Sequence, residues 1–331
     1  MRSPIAPIAF VLFAAASFAS VSQAADGFTF KDTPGQHFDV LRDGKLVARY
    51  MNGHDISTPE RRNETYKPFL MVYNAAGTAP ITKGAGGTLP HHRGIYIGWN
   101  GISVGGKKYD RWHMKDGDQV HEKFTAQTEG KDQASFTSFV KWEGATPQDT
   151  LIEEERTLTF LPAPAPGYIL IDMVSKLKAV AGETSLNRDA EHAGLHWRPA
   201  DNLDRSKTLF MYPVENANPH KDRDYPWFGE SYTLPEGRFS VVYLNHPENP
   251  KDASISAYRD YGRFGACFVT TIPANETLTI RARFFVMEGE LPSAEVIQQT
   301  WNAYTGKNEP TPKTTTKGAE TTKFPDPTKA K

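Results

Sequence analysis

The sequence predicts an all-β protein, a large antiparallel β-sandwich carrying one short C-terminal helix. Three observations predict it. Strand-like runs follow one another at short intervals, Gly, Pro, Asn and Asp punctuate them, and a single late segment has apolar residues at helical spacing.

The runs fall at residues 45–51, 69–74, 95–99, 120–127, 134–142, 151–160, 168–180, 240–244 and 278–286. In the last of these, Leu278, Ile280, Ala282 and Phe284 alternate with polar partners, the period of a half-buried strand. The runs are too many for one immunoglobulin-like unit, so one large sandwich domain is expected over 25–306. The helix opens at Pro292-Ser293, with Ser293 as N-cap and Glu295 in the first turn. Ile297, Trp301 and Tyr304 define its apolar face, and Gly306 stops it. Residues 307–331, rich in Thr, Lys and Pro, are expected to be a disordered tail.

The N-terminus reads as an export signal over residues 1–24. Arg2 precedes an apolar stretch, and Ser22-Gln23-Ala24 supplies small residues for cleavage after Ala24. No later segment is apolar enough to span a bilayer. The lone cysteine, Cys267, permits no internal disulfide, and an exported chain without one fits a bacterial periplasm. A formal net charge of −1 argues against nucleic acid as partner and leaves a small-molecule or oligosaccharide substrate.

The chemistry-bearing residues are chiefly histidines and arginines. Pro90-His91-His92-Arg93-Gly94 precedes the run at 95–99, and imidazole is both the side chain that titrates near neutrality and the commonest metal ligand. If alternation extends back through this motif, His92 shares a face with Gly94, Tyr96 and Gly98 and points to a cleft, while His91 supports the fold. In residues 191–198, the same parity puts His192, His196 and Arg198 on one face and Leu195 and Trp197 on the other. That face reads as the floor of a polar cleft, or as an exposed edge strand. Trp112-His113-Met114 and Val120-His121-Glu122 add two more histidines. Glu154 and Arg156 have core parity, which calls for pairing of Glu154 with an arginine, a catalytic carboxylate being the other reading. His246 sits in a proline-bounded turn; Tyr258 and Arg259 lie in a glycine-containing loop; Tyr225 and Trp227 belong to an aromatic loop of the kind that caps sugar grooves.

At Lys67-Pro68-Phe69, Pro90-His91-His92-Arg93-Gly94, Ala193-Gly194-Leu195-His196, Asn245-His246-Pro247-Glu248-Asn249-Pro250 and Arg259-Asp260-Tyr261-Gly262, the chain resembles a bacterial family of unknown function labelled "methane oxygenase PmoA-like". The resemblance covers nearly all of residues 25–306. It is not one to the membrane monooxygenase subunit, which is a polytopic helical protein. It implies a soluble, exported β-rich protein associated with carbohydrate catabolism, with a fold similar to the large sandwich of galactose-mutarotase-like proteins.

The expected function is a periplasmic carbohydrate-active enzyme: a hydrolase, lyase or epimerase using histidine and carboxylate acid–base catalysis in an open cleft. His91, His92, His121, His196 and His246 are the candidate acids and bases, with Glu122, Glu154 or Glu191 as carboxylate partner. Arg93, Arg198, Arg259, His192, Tyr258, Tyr225 and Trp227 would bind substrate. One alternative is a metal-dependent enzyme whose imidazoles hold a divalent zinc, copper or iron ion. The other is a non-catalytic carbohydrate-binding module relying on Tyr225 and Trp227.

Overall fold

The computed structural model describes residues 26–189 and 191–323, so the expected signal segment lies outside the described residues. Strands form where alternation predicts them. Lys45–Met51 and Ile95–Trp99 match their runs, and others lengthen slightly, to Gln119–Thr128, Ala134–Glu143, Thr150–Leu161 and Thr277–Glu288.

Among the described residues the strands make three antiparallel sheets. One has eight strands in the order Phe28–Thr33, His37–Arg42, Lys45–Met51, Phe69–Val72, Ile95–Trp99, Ala193–Trp197, Phe264–Cys267 and Ser254–Ser256. The second has nine, in the order Thr315–Gly318, Leu209–Tyr212, Trp227–Leu234, Gly237–Asn245, Thr277–Glu288, Gly167–Ala179, Thr150–Leu161, Ala134–Glu143 and Gln119–Thr128. The third joins Thr270–Ile272, Thr184–Asn187, Gly101–Val104 and Lys107–Tyr109.

The main core lies between the two large sheets. Trp99 meets Trp142 across it with ring centroids 5.9 Å apart, and Trp197 meets Phe284 at 5.8 Å. Glu154 and Arg156 enter this core as a pair. Arg156 donates from Nε to Glu154 Oε1 at 2.9 Å and from Nη2 to Oε2 at 2.8 Å, and Trp142 and Ser175 donate to the same carboxylate. Every lone pair that matters is used, as a buried ion pair requires. The carboxylate is structural.

Each large sheet has a second, outward face. On the nine-stranded sheet, Phe284 faces the main core while its neighbour Phe285 joins an outer cluster with Val242, Leu244, Ile297 and Trp301. The helix Ala294–Thr305 covers that face, and Gly306 ends it in the left-handed region at φ 68°. On the eight-stranded sheet, Ile95, Ile97, Trp99, Leu195 and Trp197 face the main core, whereas Tyr96 packs outward with Trp112 and Phe69.

Two parts of the chain differ from expectation. Residues 315–318 of the expected disordered tail form an edge strand on Leu209–Tyr212, and Thr322 donates to Asp260 Oδ1 at 2.6 Å. A strand edge supplies backbone partners that composition does not reveal; residues 324–331 lie outside the described residues. A short helix, Pro59–Thr65, also forms, with Thr58 accepting from the Arg61 amide and Pro59 at its start. It buries no residue, so it has no apolar period to read.

Candidate metal centre

The outward face of the eight-stranded sheet carries the histidines. Its centre pairs Ile95–Trp99 with Ala193–Trp197 in the register Tyr96↔His196 and Gly98↔Gly194. After Trp99 the chain makes a tight hairpin through Gly105 and Gly106, both at positive φ, and returns over the sheet. The Arg111 amide then donates to the Trp99 carbonyl at 2.8 Å. A Cβ on Gly98 would lie 2.2 Å from the Arg111 carbonyl oxygen, so only glycine lets the loop cross here. That crossing delivers Trp112 and His113 to the sheet face.

Three imidazoles converge there. His91, His113 and His192 each offer a ring nitrogen, and these atoms all lie within 4.8 Å of one another. Ring centroids are 4.4 Å apart for His91–His113, 4.9 Å for His113–His192 and 6.3 Å for His91–His192. His113 and His192 have side chains 24 % and 23 % exposed, so a small ligand can reach them.

Two of the three are held by one device used twice. Asp110 Oδ1 accepts from the amides of Trp112 and His113, at 3.0 and 2.8 Å, and Oδ2 lies 2.8 Å from His113 Nδ1. Asp189 Oδ1 accepts from the amides of Glu191 and His192, at 3.0 and 3.1 Å, and Oδ2 lies 2.7 Å from His192 Nδ1. A carboxylate accepts, so Nδ1 carries the proton and Nε2 keeps its lone pair outward. Carboxylate-held imidazoles of this kind are typical of metal ligands.

Burial works against the charged form of two of the rings. Burial, with Lys67 next, pulls His91 down to about 2; burial also lowers His192, against the opposing hydrogen bond it donates to Asp189. Burial works to raise Asp189, but the His192 hydrogen bond and the amides overcome it and hold the carboxyl at about 2. Lys67 is buried, donates to the Trp112 carbonyl at 3.0 Å and sits 4.5 Å from the Tyr96 ring centroid. Glu191 is ion-paired with Arg259 and, at 2.9 Å, with Arg263.

The remaining expected residues divide. His92 and His196 do sit on this face but are buried, at 2 % and 0 % exposure, behind the trio. His91 and His92 occupy a turn, with the His92 amide donating to Leu89 O at 2.9 Å and Leu89 at φ 53°. Strand parity therefore does not apply to them, and their expected roles exchange: His91 reaches the open side. His121 lies elsewhere, 2.6 Å from Ser138 Oγ and against Tyr50 and Phe124. His246 is on another surface, near Tyr304 and Glu248. Glu122 pairs with Lys141 on the edge of the nine-stranded sheet.

The arginines are mostly structural. Arg93 donates to the carbonyls of Pro90, Asn63 and Glu64, capping the C-terminal end of helix Pro59–Thr65. Arg198 donates from Nη1 and Nη2 to the carbonyls of Pro199 and Tyr261 and to Asp201, at 2.6 Å to its Oδ1. Arg259 reaches Glu191, Ser256 and the Tyr258 hydroxyl, which ties both residues to the rim of the site. Trp227 is fully buried beneath the C-terminal helix, donating to Gln298 at 2.9 Å, and Tyr225 is 5 % exposed. Neither offers a ring face to a sugar. His113, noted in the sequence but not among the expected site residues, and its partner Asp110 are what sequence reasoning passed over; the repeated Asp-x-x-His spacing at 110–113 and 189–192 could have singled them out.

No curated protein matches this chain. Solved structures similar to it include the galactosidase domain of the α-galactosidase–sucrose kinase AgaSK, at TM-score 0.43 and 8% identity over 82% of this chain and 43% of that one. The chain thus spans less than half of that protein's length. The Slr1438 protein of Synechocystis sp. PCC 6803 aligns at TM-score 0.41 and 10% identity, covering 82% and 99%. A galactose mutarotase-like protein of Clostridium acetobutylicum aligns at 0.37 and 9%, covering 79% and 98%. Likeness of this degree says nothing about activity. The sequence itself matches a family of unknown function, DUF6807, over residues 37–302, and the protein belongs to that family.

Proposed function

We propose that the protein is a metal-dependent enzyme that binds one divalent ion through His91, His113 and His192 and acts on a small polar substrate of carbohydrate type. The observation that carries this reading is the convergence of three ring nitrogens within 4.8 Å, two of them on rings held by carboxylates. Three imidazoles make a common ligand set for a catalytic zinc-like ion and leave a coordination position for water or substrate. A bound ion would supply Lewis acidity and lower the pKa of a water there.

The protein's own residues do the rest. Asp110 and Asp189 fix the tautomer and aim of two ligands, and Arg259 and Arg263 hold Glu191 at the rim. His92 and His196, buried behind the trio, line the site rather than exchange protons with solvent. Export to the periplasm enters this reading from the N-terminal pattern at 1–24, and the carbohydrate class from the polar lining of the site.

Elemental analysis of protein purified without chelator tests it. One ion per chain is expected in the wild type, and none in a folded His113→Ala variant. No ion in any preparation, together with no metal-induced rise in melting temperature, would overturn the reading.

A further inference from the structure

A second cavity opens at the edge of the eight-stranded sheet formed by strand Ser254–Ser256, and its volume is about 270 Å³. The strand turns Ile255 to the main core, which leaves Ser254 and Ser256 on the outward face. Both line the cavity, together with Tyr258, Arg188 and Arg223. None of His91, His113 and His192 lines it. It lies beside their site nonetheless, because Cys267, another lining residue, has Sγ 3.6 Å from His196 Nε2.

The charge on these walls is one-sided. Arg188 donates from Nη1 to the Asp189 carbonyl at 2.8 Å and from Nη2 to Ser254 Oγ at 2.6 Å, and among the described residues no carboxylate pairs with it. The Asp189 carboxylate is engaged by Asn100 and His192. Arg223 has only Asp252, 3.7 Å from its Nε and 90 % exposed, a pairing that solvent screens. Arg259 and Arg263, which both touch Ser256, share the single carboxylate of Glu191. Among the described residues that line the cavity there is no carboxylate, so positive charge is in excess.

The hydroxyls lean the same way. Ser256 Oγ accepts from Arg259 Nη1 and from Arg263 Nη2, both at 3.0 Å, so its lone pairs are occupied and its proton is left to donate. Ser254 Oγ accepts from Arg188, and Tyr258 Oη accepts from Arg259 Nη2 at 2.7 Å. Against these donors stands the His220 ring, whose Nε2 lies 2.8 Å from Glu320 and whose Nδ1 can accept. A neutral polyol can meet the hydroxyls and that nitrogen, but it leaves the guanidiniums uncompensated. An oxyanion serves the hydroxyls and the charge together.

We propose that this cavity binds an oxyanion, the carboxylate, phosphate or sulfate group of a small ligand, through the guanidiniums of Arg188 and Arg223 and the hydroxyls of Ser254 and Ser256. The site is additional to the metal reading and independent of it. Charge-assisted hydrogen bonds supply the affinity, and a volume below that of a drug-sized pocket suits an inorganic anion or the acidic end of a longer molecule.

Calorimetric titration of the whole chain with inorganic phosphate, sulfate and acetate, against glycerol, tests the proposal and tells the three anion chemistries apart. Chelator-treated protein is used, so that no anion is held through an ion at His91, His113 and His192. At least one anion is expected to bind about tenfold or more tighter than glycerol. Arg188→Met and Arg223→Met, their folding checked by circular dichroism, are each expected to weaken it about tenfold, the loss that follows removal of a charge-assisted hydrogen bond. Modification of wild-type protein by phenylglyoxal, mapped by mass spectrometry, needs no variant. The tightest anion is expected to slow the reaction at Arg188 and Arg223 and not at the exposed Arg61. No anion binding, or glycerol binding as tight as that of every anion, overturns the proposal. So does affinity unchanged in both folded variants, or protection of neither arginine. Metal content is read separately and bears on the metal reading alone.

Discussion

The two outward faces of this sandwich are covered in opposite ways. On the nine-stranded sheet, helix Ala294–Thr305 lays Ile297 and Trp301 onto Trp227, Val242, Leu244 and Phe285, and the buried indoles of Trp227 and Trp301 find acceptors. On the eight-stranded sheet, turns and loops lay His91, Trp112, His113 and His192 over Tyr96 and His196, and several buried donors find none. Each unsatisfied buried donor costs about 1–3 kcal/mol. The first cover stabilises the fold; the second, on the proposed reading, gives up stability in favour of binding. A difference of this kind separates scaffold from site without any knowledge of substrate.

The largest effect that could break this contrast lies in the apolar cover. Trp301→Ala is expected to lower stability by about 3–5 kcal/mol, measured by denaturant unfolding, while metal affinity of the folded protein stays unchanged. A loss of metal affinity there would mean that the two faces are coupled. Next comes the polar cover. Asp189→Asn keeps the shape but not the charge, and should weaken metal binding about 10–100-fold with little change in the melting temperature of metal-free protein. Unfolding of that variant would make Asp189 a structural residue and blur the distinction.

The last effect is read against pH and concerns a buried acid between the sheets. Burial, only partly offset by Arg198, raises the Glu230 carboxyl well above its ordinary 4.5, and neither oxygen has a partner among the described residues. With a raised folded-state pKa, the unfolded chain releases its proton first. Stability is then lost as pH rises above about 4.5, at about 1.4 kcal/mol for each pH unit up to the folded value. Glu230→Gln should abolish that slope, matching the wild type near pH 4 and exceeding it at pH 8 in urea midpoints. An unchanged pH profile would show Glu230 to be ionised in the folded protein.

Much of the fold was legible because a strand writes its burial into every second residue. Thr150–Leu161 could be read down to the inward placement of Glu154 and Arg156 and the need of Glu154 for an arginine, which the structure supplies from Arg156. The site was legible only in part. His196 stands on a real strand, and its parity correctly separates it from Leu195 and Trp197. His91 and His92 stand on a turn, where alternation has no force. His113 arrives by a loop crossing that depends on a glycine in another strand. Arginines misled for a different reason: a guanidinium has five donors and is as apt to tie up loop carbonyls, as Arg93 does, as to hold a ligand. The residues 315–318 were opaque because an edge strand borrows its partners from elsewhere.

The contact of Gly98 with the Arg111 carbonyl has a bearing on how the site works. With no side chain between them, loop and sheet touch backbone to backbone, fastened by the Arg111-to-Trp99 hydrogen bond. His113 therefore inherits the stiffness of the sheet rather than the play of a loop. On the metal reading proposed above, the three rings are preset before any ion or substrate arrives, and selectivity among ions would come from a fixed aperture rather than from closure around whatever enters.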